Sequence, residues 1–410
     1  MLELVGLGAA LVLVLVLVRF RVTLGYAMVG GALITALSLG KGPLYAGRLV
    51  LRALSEWPTI ELVVVVALIS MLGRAMKEFG LLSRMAASLT RLLRSARAGI
   101  VLIPGIIGCL AVPGGAILSA PMVDSLGDVV GLSPVRRAAA NLVFRHAWFF
   151  VFPFVPTLVL ERQLTGLSPA VLIGAQAPFT FTALLVGCLL FLWRPDAPRT
   201  AEVPSGQPRG RAALEFLWTA APIVLALALN LGVGVPLAAA LALGLGLTFG
   251  QAALARQLTG ARARSVLLDR LDLPLLILIA AIMVFKAGVE EMESIPRLIR
   301  DLSTRGLPSG LLLVALPGIV GFVSGSQQTA LGLGIPLLLG LAPTPAHQPA
   351  YAAVIYVAAY MGYLCTPLHL CQVLSAQYFK VSMGSLFRRY APVVGAVLLV
   401  TAAVYLLAVR

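Results

Sequence analysis

Long apolar runs separated by short charged loops dominate this chain of 410 residues. An α-helix needs about 20 predominantly apolar residues to cross a bilayer, so runs of this length predict membrane spans. The pattern predicts ten spans, at 2–18, 23–40, 58–76, 136–160, 168–193, 213–231, 234–251, 271–288, 349–366 and 385–408. Two further apolar stretches, 99–129 and 309–340, are interrupted by Gly, Pro and Ser, which predicts re-entrant hairpins.

The composition agrees with an all-α polytopic membrane protein. Hydrophobic residues make up 60% and charged residues 11% of the chain, whereas a soluble domain carries roughly 25% charged residues. The net charge of +15 comes from Lys and Arg in short loops between spans. This placement indicates topology rather than nucleic-acid binding, so the expected partners are membrane lipid and a small-molecule or ion substrate. The four cysteines lie in apolar segments without a CxxC spacing, which favours neither disulfides nor a metal site.

An internal repeat divides the chain. At an offset of 213 residues, 67–85 aligns with 280–298, and the motif PGIIG at 104–108 aligns with PGIVG at 317–321. The stretch 194–211 is rich in Pro and charge and is predicted to be a cytoplasmic linker. The predicted domains are therefore a first repeat at 1–193, the linker, and a second repeat at 212–410.

The predicted topology makes the two repeats inverted, because each holds five spans and one hairpin. Lys and Arg are concentrated on the face that carries the linker and residues 84–97, so this face is expected to be cytoplasmic in the cell (inner) membrane, with both termini extracytoplasmic. Leu82, Met85 and Leu89 form an apolar stripe at helical spacing, with a counterpart in the second repeat. This stripe predicts an amphipathic helix along the membrane interface, and a loop helix without membrane contact is the alternative.

The interruptions of the two hairpins contain the first set of candidate binding residues. Inverted repeats with broken helices are typical of secondary transporters, whose sites lie between the repeats. The candidates are Pro113, Gly114, Gly115 and Ser119 in the first hairpin, and Ser324, Gly325, Ser326, Gln327, Gln328 and Thr329 in the second. Their backbone, hydroxyl and amide groups could hold Na+ or a carboxylate, and polar packing at a helix crossing is the alternative.

The span 136–160 and its repeat partner supply the second set of candidates. The first carries Asn141, Arg145 and His146 before two prolines, and the second carries Thr366 and His369 around a proline. Prolines should unwind both spans. An arginine inside a span predicts a counter-charge for an anionic substrate, with pairing to Asp124 or snorkelling as alternatives. Each histidine could relay a proton or be structural.

Four motifs resemble an integral-membrane family, a domain of unknown function, within the ion-transporter superfamily. They are PGGAILSAPMV, NLVFRHAWFFVFPFVP, GSQQTALGLGIPLL and PLHLCQVLSAQYFK. The superfamily includes divalent-anion/sodium symporters and gluconate and citrate permeases. The resemblance implies inverted repeats, re-entrant hairpins, unwound helices and elevator-like motion. Sodium-coupled members carry Ser-Asn-Thr motifs at both hairpin tips, whereas this chain has Pro-Gly-Gly at the first, which leaves Na+ and H+ both open as coupling ions.

These features predict a secondary active transporter for a small anionic solute, such as a carboxylate or sugar acid, coupled to Na+ or H+ by alternating access. The sequence contains no P-loop motif and indicates no cofactor. An ion channel is the alternative. An intramembrane enzyme using Ser324 or Ser326 with His369 is a third hypothesis. The substrate, the coupling ion, the transport direction and the oligomeric state, including a homodimer, stay open at this point.

Overall fold

The computed structural model of the chain describes residues 2–110, 115–193, 196, 208–269, 271–295, 297–298 and 309–409, and this part of the chain contains helices and no β-strand. The helices before the linker are α1 (Leu2–Arg19), α2 (Leu24–Ser38), α3 (Pro43–Ser55), α4 (Trp57–Glu78), α5 (Leu81–Leu93), α6 (Ala96–Cys109), α7 (Gly115–Val130), α8 (Pro134–His146), α9 (Pro156–Thr165) and α10 (Pro169–Gly187). Those after it are α11 (Arg209–Leu227), α12 (Leu237–Leu254), α13 (Gly260–Arg264), α14 (Leu273–Glu290), α15 (Ser309–Ser324), α16 (Gln327–Leu338), α17 (Gln348–Cys365), α18 (Leu370–Tyr378) and α19 (Met383–Val409).

Eight helices in the described residues are long and apolar enough to cross a membrane. They agree with eight of the ten predicted spans and confirm a multi-pass helical membrane protein. The predicted span 23–40 is the 15-residue helix α2, which falls short of the usual length. The predicted span 136–160 is not one helix, because the chain leaves helical geometry at 151–155 between α8 and α9.

Prolines cause the break in this span and the break after α17. Pro153 and Pro156 lack a backbone N–H and disfavour helical geometry in the residue before them, so α8 passes through a short 3-10 turn, Ala147–Phe150, and the helix restarts at Pro156. Pro367 has the same effect between α17 and α18. The sequence correctly predicts both interruptions.

Two helical hairpins occupy the predicted positions. Helix α6 packs against α7, and α15 packs against α16. Gly325 turns the second hairpin at φ +64°, in the left-handed region that glycine adopts without a steric penalty. The tip of the first hairpin, including the candidates Pro113 and Gly114, lies outside the described residues. The four helices have 12 to 16 residues each, and their re-entrant placement in a membrane stays a prediction.

The amphipathic stripe forms α5 as predicted. Leu82, Met85 and Leu89 are buried, and on the polar side Arg84 and Arg91 form ion pairs with Glu215 of α11. In the matching stripe of the second half, Ile295 is buried, and Leu302 lies outside the described residues. Helix α3 is a second amphipathic helix, and the pattern of long apolar runs does not predict it because it has only 13 residues.

Helices from both halves enclose the centre of the molecule. In the first half, α9 packs against α16 of the second hairpin, and in the second half, α18 packs against α7 of the first hairpin. Each hairpin therefore contacts the short helix that follows the break in the opposite half. This arrangement places the two interrupted spans and the two hairpins around a shared space.

Candidate functional site

A cavity of about 310 Å³ lies where the hairpins meet the interrupted spans. Pockets for small molecules start at about 300 Å³, so this volume suits a compact ligand. The polar side chains that line it are Arg145, His146, Thr157, Asp272, Gln327, Gln328, Tyr363 and Cys371. Four of the predicted site residues line this cavity, two from each half of the chain: Arg145, His146, Gln327 and Gln328.

Arg145 is the dominant charge of this cavity. Its side chain is 3% exposed, and its Nε and Nη1 have no hydrogen-bond partner among the described residues. The alternative pairing with Asp124 is wrong, because Arg137 binds that carboxylate at 2.6 Å. A buried cation without a counter-charge is costly, so the part of the cavity around Arg145 suits an anion. The other charged residue of the lining is Asp272, whose Oδ1 caps α14 by accepting from the Leu275 amide.

Gly115 makes room for the Arg145 guanidinium. A Cβ atom at this position would lie 2.4 Å from Nη2 and 2.6 Å from Nη1. The main chain of Arg145 also lies close to α6, because a Cβ at Gly108 would be 2.3 Å from the Arg145 carbonyl oxygen. The first hairpin therefore holds the arginine through two glycines, one on each of its helices.

Two histidines lie beside Arg145 with unused ring nitrogens. His146 Nδ1 is 2.8 Å from the Leu142 carbonyl oxygen, so it donates to that carbonyl and leaves Nε2 as an acceptor when the ring is neutral. The ring of His369 stands edge-on to that of His146, with 4.7 Å between centroids, and packs on Tyr363 at 4.2 Å. His146 Nε2 and both nitrogens of His369 have no hydrogen-bond partner of good geometry in the described part.

His146, His369 and Cys371 are also the residues nearest to a metal-ligand set. Their ligand atoms all lie within 4.8 Å of one another. The positive charge of Arg145 beside His146 opposes a bound cation, since like charges repel strongly where water is excluded. The cluster is therefore better suited to hydrogen-bonding an anionic ligand.

The hydroxyl groups of the second hairpin tip are engaged within the tip. Ser324 Oγ donates to the Val320 carbonyl oxygen at 2.6 Å. Ser326 Oγ caps α16 by accepting from the Thr329 amide at 3.1 Å, and Thr329 Oγ1 donates to it at 3.0 Å. These groups have the role of helix capping, which leaves the side chains of Gln327 and Gln328 to face the cavity. Neither serine hydroxyl is hydrogen-bonded to His369 in the described residues, so the hypothetical Ser–His dyad is not assembled.

Ser119 and Asn141 form a buried network away from the cavity lining. Ser119 Oγ donates to Asn141 Oδ1 at 2.6 Å, and Asn141 Nδ2 donates to the Ala116 carbonyl oxygen and to Ser375 Oγ. Because Ser375 belongs to α18, the network joins α7 and α8 to the second half. Thr366 Oγ1 accepts from the Leu368 amide at the break after α17. These contacts give the three residues structural partners.

Glu161 and Gln176 form one buried polar pair, and Thr157 and Tyr356 form another. The sequence reveals neither pair. Glu161 lies one residue beyond the predicted span 136–160 and therefore looks like a loop residue. Its partner Gln176 lies in the next helix, α10. In the structure α9 continues to Thr165, so Glu161 lies on the same helix as the cavity residue Thr157, one turn after it.

The comparisons with known proteins agree with a membrane transporter fold. A crystal structure described as the Alcanivorax borkumensis YdaH transporter, with an unusual topology, matches at a TM-score of 0.63 and 19% identity, covering 85% of this chain and 84% of that one. At this identity the likeness shows a shared fold. No curated protein matches the chain. The family model described as "Protein of unknown function (DUF401)" matches residues 4–408, and the chain therefore belongs to the DUF401 family.

Proposed function

We propose that the protein is a secondary active transporter that binds a small anion at the Arg145 cavity and moves it across the cell (inner) membrane. The observation that carries this proposal is the buried Arg145 guanidinium in a cavity between the two halves of the chain, with Nε and Nη1 lacking a partner among the described residues. A carboxylate can accept two parallel hydrogen bonds from a guanidinium, which would compensate the buried charge. The neighbouring Gln327 amide, also without a partner of good geometry in the described residues, can bind hydroxyl groups of a sugar acid.

The helix order supports alternating access between two inverted repeats. Helices α6, α8, α9 and α10 begin at residues 96, 134, 156 and 169, and α15, α17, α18 and α19 begin 213 or 214 residues later. Both halves thus contain a hairpin, an interrupted span and a long final helix in the same order. In such a transporter the cavity opens to one side and then to the other as one set of helices moves against the other, for which elevator-type motion is one form. The relation to the ion-transporter superfamily is part of this proposal.

Ligand-induced stabilisation of the purified protein tests the anion site. Gluconate, citrate, succinate, phosphate and sulfate are screened by thermal shift in detergent, with sodium and pH varied. We expect a carboxylate or oxyanion to raise the Tm of the wild type, because a ligand that binds only the folded state stabilises it. The increase should vanish in Arg145→Ala and persist in Arg162→Ala, a neighbouring arginine that does not line the cavity. Undiminished affinity in Arg145→Ala would refute the assignment.

A further inference from the structure

Glu161 is a carboxyl group buried without a counter-charge. It is fully buried in α9, and no salt bridge involves it in the described part of the chain. Its one hydrogen-bond partner is the neutral amide of Gln176, whose Nε2 donates to Glu161 Oε2 at 2.5 Å. An ionised carboxylate in such surroundings is strongly disfavoured, so the acid form is the one that fits the site.

The two remaining side-chain oxygens of Glu161 and Gln176 also favour the acid form of Glu161. Glu161 Oε1 and Gln176 Oε1 are buried and without partners in the described residues, and both are acceptors when Glu161 is ionised. A proton on Oε1 would turn one of the two into a donor. A carboxylic acid and a primary amide are complementary in this way, whereas a carboxylate and an amide are not.

The helices packed against α9 offer few other ionisable groups. They are α4, α10, α16 and α17. Helices α10 and α16 contain no titratable residue. The titratable residues of α17 are Tyr351, Tyr356, Tyr360, Tyr363 and Cys365. The charged residues of α4 are Glu61, Arg74, Lys77 and Glu78, and none of them forms an ion pair with Glu161.

Glu161 lies close to the cavity along its own helix. Thr157 lines the cavity, and its Oγ1 is 2.8 Å from the hydroxyl of Tyr356. The Tyr356 hydroxyl donates to the carbonyl oxygen of Phe149, another cavity residue, at 2.7 Å. Because Thr157 and Glu161 are four residues apart on α9, the carboxyl group lies one helical turn from the cavity lining.

We propose that Glu161 binds the coupling proton of the transporter and exchanges it with the cavity one helical turn away. A hydronium ion in the cavity gives its proton to the carboxylate and becomes water, and the carboxylate becomes a carboxylic acid; the reverse step returns the proton on the other side of the membrane. This inference rests on the proposed function and selects H+ rather than Na+ as the coupling ion.

Infrared difference spectroscopy in H2O and D2O tests the protonation without any ligand. We expect the purified wild type at neutral pH to show the C=O stretch of a buried carboxylic acid, and Glu161→Gln to lack it. Glu215→Gln is the matched control, because Glu215 is paired with Arg91 at 2.7 Å and should contribute only as a carboxylate. A spectrum without this band, or a band that survives in Glu161→Gln, would overturn the proposal.

Flux in vesicles loaded with a pH-sensitive dye tests the coupling, with gluconate, citrate and phosphate gradients as probes. We expect anion entry into wild-type vesicles to acidify the lumen. Glu161→Gln, which mimics the protonated acid, should retain anion exchange but lose the acidification. Unchanged acidification in Glu161→Gln would contradict a role for Glu161. Absence of anion flux in the wild type would instead refute the proposed function and, even with the infrared band present, leave Glu161 a structural acid without coupling.

Discussion

At the scale of single residues, the space that Gly115 leaves for Arg145 gives a binding prediction. Gly115→Ala places a methyl group about where the guanidinium lies. The end of an arginine side chain can move aside, so we expect little change in Tm. Anion affinity, measured by thermal shift against ligand concentration, should fall about tenfold, equivalent to about 1.4 kcal/mol. Gly174→Ala, which meets no atom within 4 Å, is the control, and equal affinities in the two variants would contradict the geometry.

Asn141 gives a stability prediction at the same scale. Asn141→Ala removes three buried hydrogen bonds that join α8 to α7 and α18. We expect a loss of about 1–2 kcal/mol in unfolding free energy, measured by denaturant titration in detergent. Asn230→Ala, which loses one partly buried bond to the Val235 carbonyl oxygen, should cost less. Normal stability combined with lost anion binding would place Asn141 in the binding site.

At the scale of helices, Gly362 controls the approach of α17 to α15. A Cβ on Gly362 would lie 2.1 Å from the Gly318 carbonyl oxygen and 2.9 Å from the Phe322 amide nitrogen. Backbone atoms cannot turn aside as a side chain can, so Gly362→Ala should force the helices apart and cost about 1–3 kcal/mol. Gly246→Ala in α12, with nothing within 4 Å, should leave the unfolding midpoint unchanged. Equal unfolding midpoints in the two variants would contradict the close contact of α15 with α17.

The end of α14 is joined to α3 and the turn before it by a pH-dependent contact. Glu291 accepts hydrogen bonds from Tyr45 at 2.6 Å and Lys41 at 2.9 Å, and these bonds lower the pKa of Glu291 below its usual 4.5. A lowered carboxyl pKa adds stability above the unfolded-state value, which is lost as the pH falls through the folded-state value.

Acidification from about pH 5 toward the lowered pKa should therefore loosen the α3–α14 contact. Hydrogen exchange of α3 as a function of pH measures this, with faster exchange expected at the acid end. Glu291→Gln should show faster exchange at neutral pH and a flatter pH dependence. Glu293→Gln is the control, since Glu293 is highly exposed and pairs with Arg297 within its own segment. An identical pH profile in Glu291→Gln and the wild type would show that this contact does not hold α3.

The sequence predicts the helices that are formed by long apolar runs and the helix breaks that are caused by proline. Lipid removes the need for a polar face, so spans such as α4 and α12 appear as continuous apolar runs. Proline acts through its own covalent structure, and the breaks at Pro153 and Pro367 follow from that alone. Helix α3 escaped prediction because it is 13 residues long and charged on one face, and such a pattern is ambiguous without its packing partner.

The site was only partly predictable, because hydrogen-bond partners depend on tertiary packing. An arginine within an apolar run is visible in the sequence, and Arg145 does line the cavity. The hydroxyls of Ser324, Ser326 and Thr329 looked equally available, yet they cap and stabilise their own hairpin. The burial of Glu161 was not predictable, because it depends on the packing of α9 against α10 and α16. The local sequence does not show this packing.

At the scale of the whole molecule, the cavity lies where the proposed alternating access requires it. Its walls come from both hairpins and both interrupted spans, so a ligand bound at Arg145 would contact both halves at once. Under the proposed function, one set of helices moves against the other and opens this cavity to one side and then to the other. An ion channel would instead need a pathway open to both sides of the membrane at once, and it would conduct ions without exchanging one anion for another.

Counterflow in proteoliposomes tests the central claim most directly. Vesicles are loaded with the anion that stabilises the wild type, and uptake of external labelled anion is followed. The account predicts transient accumulation of label by the wild type and by Arg162→Ala, and none by Arg145→Ala. Uptake by Arg145→Ala at the wild-type rate, or continuous electrical conductance above transporter turnover, would contradict it.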